Sequence, residues 1–266
     1  MKILVLAKQV PDTDRVKIDP ETGTMIREGL DAIMNPLDMH ALELALNLKE
    51  SHQAHITVMS MGPMNCEEVL KDAYALGADR AILLSDPFFA GSDTWATSFT
   101  LSEAIKRLNI SFDLVLCGEK ATDGETGQVG IELAMLLNLP VLTYVSKFIA
   151  IEEQSIVAER TTEDAYEVWK VKLPAVLAVL RTVSEPRLPT LSGKKAALGK
   201  KVEIYTAKDL GFSQNEVGLR ASPTRVVKVY NTKFSRNCFI YSGKDVSKGI
   251  KEIVEILKPY KGSAVK

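Results

Sequence analysis

The stretch FDLVLCGEKATDGETGQVGIELAMLLNLP, Phe112 to Pro140, decides the fold. After Asp113 comes the apolar run Leu114, Val115 and Leu116, which suits a parallel strand covered by helices on both faces. Gly118, Gly124, Gly127 and Gly130 follow, and residues without a Cβ let backbone come close to a ligand. The spacing predicts a helix opening at Gly127-Gln128, capped by Thr126 and stopped by Pro140. The first N–H groups of such a helix have no internal partner, and its dipole adds positive potential there. A strand end feeding a helix N-terminus is where open α/β sheets hold phosphates. The stretch therefore points to a nucleotide without saying which.

Working outward, Ile3 to Ala7 reads as a buried first strand, and Lys8 to Asp31 as a polar, turn-rich loop with a small hairpin. Asn35-Pro36-Leu37-Asp38 is a helix start: Asn caps, Pro suits the first helical position, and Asp38 can reach back toward the cap. That helix runs to about Glu50. His55 to Ser60 alternates like a strand; Asn65 with Glu68 offers a capping signature for a helix that Gly77 closes after Leu76. Ala81 to Leu84 is a further strand, and Ser92 to Leu108 a long helix.

Strands alternating with helices argue for an α/β fold, a doubly wound, mostly parallel Rossmann-like sheet. Beyond Val141 the segments Ser155–Arg160, Tyr166–Lys172 and Ala175–Leu180 read as successive strands of an antiparallel add-on. Glu185 to Lys201 is Pro-, Gly- and Lys-rich, an exposed excursion. After the poorly patterned Ser222–Gly243, Asp245–Leu257 is an amphipathic C-terminal helical extension, placed either on a partner or on its own domain.

The chain has 266 residues, 46% hydrophobic and 25% charged, with a formal net charge of −1. That is ample for one large domain, and the near-neutral charge argues against nucleic acid and anionic membrane surfaces. Cys66, Cys117 and Cys238 stand apart with no CxxC, and no His pairs with them at zinc spacing, so neither a metal nor a disulfide framework is expected. The apolar start of MKILVLAKQVPD is too short and too soon polar for a signal peptide and no apolar run reaches transmembrane length, which gives a cytoplasmic expectation.

No GxGxxG follows the first strand and no GxxxxGK[ST] is present, so if a nucleotide binds, the Gly118–Gly130 loop is the best candidate for its phosphates, the alternative being a tight strand-to-helix turn whose glycines serve only positive φ. There Asp123 has two readings, holding a ribose hydroxyl or capping the loop. Thr126, Gly127, Gln128 and Val129 offer hydrogen bonds to a phosphate. Ala7, Asn35, Asp38, Met61 and Gly62 fall at the same sheet edge; each alone reads as a cap or turn residue, and only their convergence suggests a site. Ala7, Met61 and Cys117 would cover an adenine. Cys117 is a poor nucleophile, because no His is fixed beside it. A binding site without acid, base or nucleophile favours a cofactor carrier over a hydrolase.

Several ordered motifs extend this reading: KQVPDT from Lys8, MNPLDMHALELAL from Met34, MSMGP from Met59, ALGADRAILL from Ala75, LVLCGEKATDGETGQVG from Leu114 and EPRLPTLSGKK from Glu185. Along nearly its whole length the chain resembles the beta subunit of electron transfer flavoproteins. The resemblance implies an α/β domain paired with an alpha subunit that carries one FAD, and a second nucleotide in the beta subunit. That nucleotide is AMP in simple one-electron carriers and FAD in electron-bifurcating members. Its contacts would fall on Ala7, Asn35 to Asp38, Met61, Gly62 and Cys117 to Val129, and Leu191 would anchor a dehydrogenase within the partner-recognition loop.

VPDTDRVKIDPETGTMIREG and DGETGQVG look most like the bifurcating group, whereas AMP-binding members carry a bulkier loop at Gly124-Glu125-Thr126. Ala121-Thr122-Asp123 departs from the common Ala-Ile-Asp, which leaves the ligand choice open. In the FAD reading, a hydride from NAD(H) is split between a path through the alpha-subunit flavin and a low-potential acceptor such as ferredoxin. The high-potential partner is a flavin-dependent dehydrogenase of lactate or acyl-CoA type, and the subunit is active only within that complex. The implied organisation is a nucleotide-binding domain at 1–184, a recognition loop at 185–201, the rest of the domain at 202–230, and an extension at 231–266 that contacts the alpha subunit.

Overall fold

The computed structural model describes residues 1–12, 17–18, 25–26, 32–225 and 238–260. Its nine-stranded sheet has parallel strands at the centre: β1 (Lys2–Leu6), β6 (His55–Met61), β7 (Arg80–Leu84), β8 (Leu114–Gly118) and β12 (Ala175–Val179). The order is β11-β10-β9-β12-β8-β1-β6-β7-β13, with β9 Val141–Glu152, β10 Ser155–Thr161, β11 Tyr166–Lys172 and β13 Glu203–Tyr205. Two short pairs lie apart from it, β2 (Gln9–Pro11) with β5 (Ala32–Met34) and β3 (Lys17–Ile18) with β4 (Met25–Ile26). The rest of the expected loop lies outside the described residues.

Alternation within the strands explains why they read as continuous apolar runs. Ile3 and Val5 pack on one face with Leu42 of α1 (Pro36–His52) and Leu70 of α2 (Glu67–Leu76). Leu4 and Leu6 pack on the other with Leu101 of α3 (Thr94–Arg107) and Leu133 of α4 (Val129–Leu136). Both faces are covered, as a doubly wound sheet requires. From β1 the chain moves outward to β6 and β7, then returns through α3 to β8 on the far side of β1. The strand order therefore reverses between β1 and β8, the switch point where such sheets leave a crevice.

Three expectations need correction. Ala175–Val179 is not antiparallel: it runs parallel to both β8 and β9, and only β9, β10 and β11 form antiparallel pairs within this sheet. Asn65 does not cap a helix; it lies in a 3-10 turn, Met64–Cys66, and α2 begins at Glu67. Nor is the excursion after Glu185 wholly irregular. It contains α5 (Leu191–Ala197), capped by Thr190, whose hydroxyl accepts a hydrogen bond from the Gly193 N–H.

The chain divides into two compact units, Met1–Val227 and Lys228–Lys266. The first also contains α6 (Gly218–Ala221). The second holds α7 (Val246–Leu257), which starts one residue from the expected place and carries exposed Ile250, Ile253, Val254 and Leu257. Residues 226–237 of the poorly patterned stretch lie outside the described residues.

Candidate functional site

A cleft of about 1130 Å3 opens where β8, β1, β6 and β7 end. Leu6, Ala7, Met59 and Leu101 give it an apolar lining. Residues 118–130, after β8, supply one side, and residues 85–97, after β7, supply the other.

Side chains from the β1–α1 crossover hold the β8 side. Asn35 occupies the N-cap position of α1, yet its side chain caps nothing. Its Nδ2 donates to the Lys120 carbonyl at 2.9 Å, and its Oδ1 accepts from the Thr122 N–H at 3.3 Å. Asp38 accepts from the Lys8 N–H at 2.8 Å and from the Gly118 N–H at 2.9 Å, so one carboxylate joins the ends of β1 and β8. Burial pushes this carboxyl up to about 6, against the two N–H bonds that favour its charge. The site admits no substitute for Gly118, because a Cβ there would sit 2.6 Å from Leu37 Cβ and 2.7 Å from its carbonyl carbon.

Two helices turn their first residues toward the cleft, and they differ. Asp93 caps α3 through the Ala96 N–H and accepts from Thr224 with its other oxygen, so that end already carries a carboxylate. At α4 the Gln128 side chain makes no capping bond. The N-terminus of α4 therefore has no side-chain cap, with Gly127 held at φ +64° just before it and Glu132 in its first turn. Thr126 does not cap this helix; α4 starts at Val129, two residues later than the spacing predicts. Ser60 adds a buried hydroxyl in the lining with no hydrogen-bond partner among the described residues.

Ala7, Asn35, Asp38, Met61, Gly62, Cys117, Gly118, Gly124, Thr126, Gly127, Gln128 and Val129 all line the cleft. Asp123 does not. Its carboxylate pairs with Lys8 Nζ at 2.7 Å, and Lys8 is the residue that faces the cleft. Leu191 stands elsewhere, 88% exposed at the start of α5. Burial and the Asp38 charge push the Cys117 thiol up to about 12, which leaves it inert as a nucleophile. Sequence reasoning missed Lys8, Ser60 and the whole side from Ser85 to Thr97. The signal was available: Asp86-Pro87 and Gly91-Ser92-Asp93 follow a buried strand and open a helix, as residues 118–128 do.

These residues fit an adenine nucleotide. Apolar surface would take the adenine, the uncapped α4 terminus a phosphate, and the Ser60 hydroxyl a polar group of the ligand. Among the described residues no three His, Cys, Asp or Glu side chains group to hold a metal ion, and no helix is long and apolar enough to cross a membrane.

Comparison with known proteins agrees with this architecture. The electron transfer flavoprotein domain matches residues 22–210. An electron transfer flavoprotein subunit beta of Thermoanaerobacterium thermosaccharolyticum is 45% identical over 258 residues, covering 97% of this chain and 98% of that one. The caffeyl-CoA reductase-Etf complex subunit CarD of Acetobacterium woodii is 44% identical over 259 residues, again 97% and 98% of the two chains. Protein FixA of Azorhizobium caulinodans is 40% identical over 236 residues, 86% of this chain and 84% of its own. The chain belongs to the electron transfer flavoprotein family, as a beta subunit.

Proposed function

We propose that this beta subunit holds FAD in the cleft and, paired with an alpha subunit, takes part in electron bifurcation. The observation that carries the reading is the size and make-up of the cleft. At about 1130 Å3 it has room for a ligand as large as FAD, since pockets for drug-sized ligands run from about 300 to about 1,000 Å3. A flavin bound there supplies two-electron exchange with NAD(H) and one-electron exchange with neighbouring carriers. The chain's own part is to bind and orient. The α4 N-terminus takes phosphate, Asn35 and Asp38 fix the loop that carries it, and Met61 and Ala7 exclude water from the ring.

The likeness to a subunit of a caffeyl-CoA reductase complex supports a dehydrogenase of acyl-CoA type as partner; a flavin-dependent lactate enzyme is the other proposed class, and ferredoxin is the proposed low-potential acceptor. Residues 185–201, with Leu191 as anchor, are the proposed dehydrogenase contact, and the exposed stripe of α7 in the extension from residue 231 is the proposed alpha-subunit contact. The proposed location is the cytoplasm. Acid extraction of the purified heterodimer tests the reading: two FAD per heterodimer, one of them reduced by NADH, is expected. One FAD with one AMP, and no reaction with NADH, would instead identify the simple one-electron carrier.

A further inference from the structure

Among the described residues, the loop from Gly118 to Gly127 rests on the β1–α1 crossover through three side chains of unequal strength. Asn35 is 1% exposed and Asp38 6%, and both bond to loop backbone. Breaking either link strands buried polar groups, so these two hold permanently. The third link is the ion pair of Lys8 and Asp123, whose side chains are 49% and 32% exposed. An ion pair so open to water is worth little and opens easily. It also lies at the tip of the loop. A Cβ added at Gly124 would meet nothing within 4 Å, Glu125 has φ +54° and Gly127 φ +64°, and Lys120 comes only within 3.7 Å of Glu125.

We propose that Asp123 is a positioning residue that does not contact the nucleotide: with Lys8 it forms a latch that holds the loop tip closed over the cleft and sets the rate of nucleotide exchange. Asp123 stands outside the cleft lining while its neighbours Gly124 and Thr126 lie within it, and the Lys8 ammonium bridges from the lining to that carboxylate. The proposal rests on the reading that a nucleotide occupies the cleft.

The test is a double-mutant cycle on the heterodimer, following release of bound nucleotide after dilution. Asp123→Ala and Lys8→Met should each speed release about fivefold, the double variant should release no faster than either single one, and Asp123→Glu should restore slow release. Raising salt from roughly 0.05 M to about 1 M should speed release from the wild type toward the variants and leave the variants unchanged. Additive effects, or a loss of affinity in Asp123→Ala that persists in the Lys8→Met background, would make Asp123 a ligand contact and overturn the latch; so would unchanged release. Hydrogen exchange over residues 119–127 of the nucleotide-stripped heterodimer should rise equally in both single variants. If the wild type proves to carry no nucleotide, that exchange still decides the latch while the nucleotide reading alone fails.

Discussion

At the scale of single residues, Asp38 controls the strand ends. One buried carboxylate accepts from the backbone of β1's exit and of β8's last residue, and burial holds its pKa at about 6. An unfolded Asp titrates near 3.9, roughly two units lower. Folding therefore favours the protonated form: this contribution is fully present below about pH 4 and is lost as pH rises through about 6. At neutral pH the ionised group costs about 3 kcal/mol relative to the protonated one. Urea midpoints of the wild type and of Asp38→Asn should show it. Between about pH 4 and about pH 7 the difference in unfolding free energy should move by about 2 kcal/mol in favour of the variant; a difference that stays flat would show that Asp38 does not titrate in this range. The local spacing of Asn35-Pro36-Leu37-Asp38 correctly marks a helix start. It does not name the partners of these side chains, because the atoms they bind lie 85 and 80 residues further on. A cap reading is a local inference, and here the sheet topology overrides it.

At the scale of elements, α1 links the cleft to the segment that leads into α5. Arg187 donates from Nε to Glu43 at 2.9 Å and from Nη2 at 2.8 Å, and also reaches Asn47 and Glu50, one and two turns along the helix. Glu43 is 6% exposed, so Arg187→Ala leaves a buried carboxylate without its counter-charge. Because Arg187 itself is partly exposed, the cost is about 2 kcal/mol, below the range for fully buried pairs. Adding Glu43→Leu should recover most of the lost melting temperature; a double variant no more stable than Arg187→Ala would show that the pair is not what the single change breaks. Helices and strands with a clear period were legible in the chain, and three pieces of the sheet were not. Val141–Glu152 mixes polar Thr143, Ser146 and Lys147 into its apolar positions and follows a helix stop, so nothing marks a twelve-residue strand. Glu203–Tyr205 is too short for any pattern. Ala175–Val179 reads as a strand, but its insertion between β8 and β9 is a fact of long-range pairing that no local window contains.

At the scale of the whole molecule, the cleft and the exposed leucines are separate features, and this separation makes their roles testable apart. Leu188, Leu191 and Leu198 are 86%, 88% and 87% exposed, clustered on and beside a short helix that the rest of the fold holds firmly. A Cβ at Gly193 would come within 2.2 Å of the Ala75 carbonyl oxygen, so α5 lies directly against α2. Lys200 Nζ donates to the Ala78 carbonyl at 2.7 Å, tying down the far end. Large apolar side chains presented on a fixed support lose little freedom when a partner covers them, which is the condition for a binding hot spot. None of the three lines the cleft. If Leu191 is the proposed docking anchor, Leu191→Ala should lower the rate of electron transfer to the proposed dehydrogenase partner about tenfold. NADH-dependent reduction of the flavin proposed for the cleft, followed by stopped-flow absorbance on the same heterodimer, should be unchanged. If both rates fall together, the leucine acts on the cleft and the docking role is wrong. If neither changes, the partner binds another surface, and the exposed leucines need a different explanation.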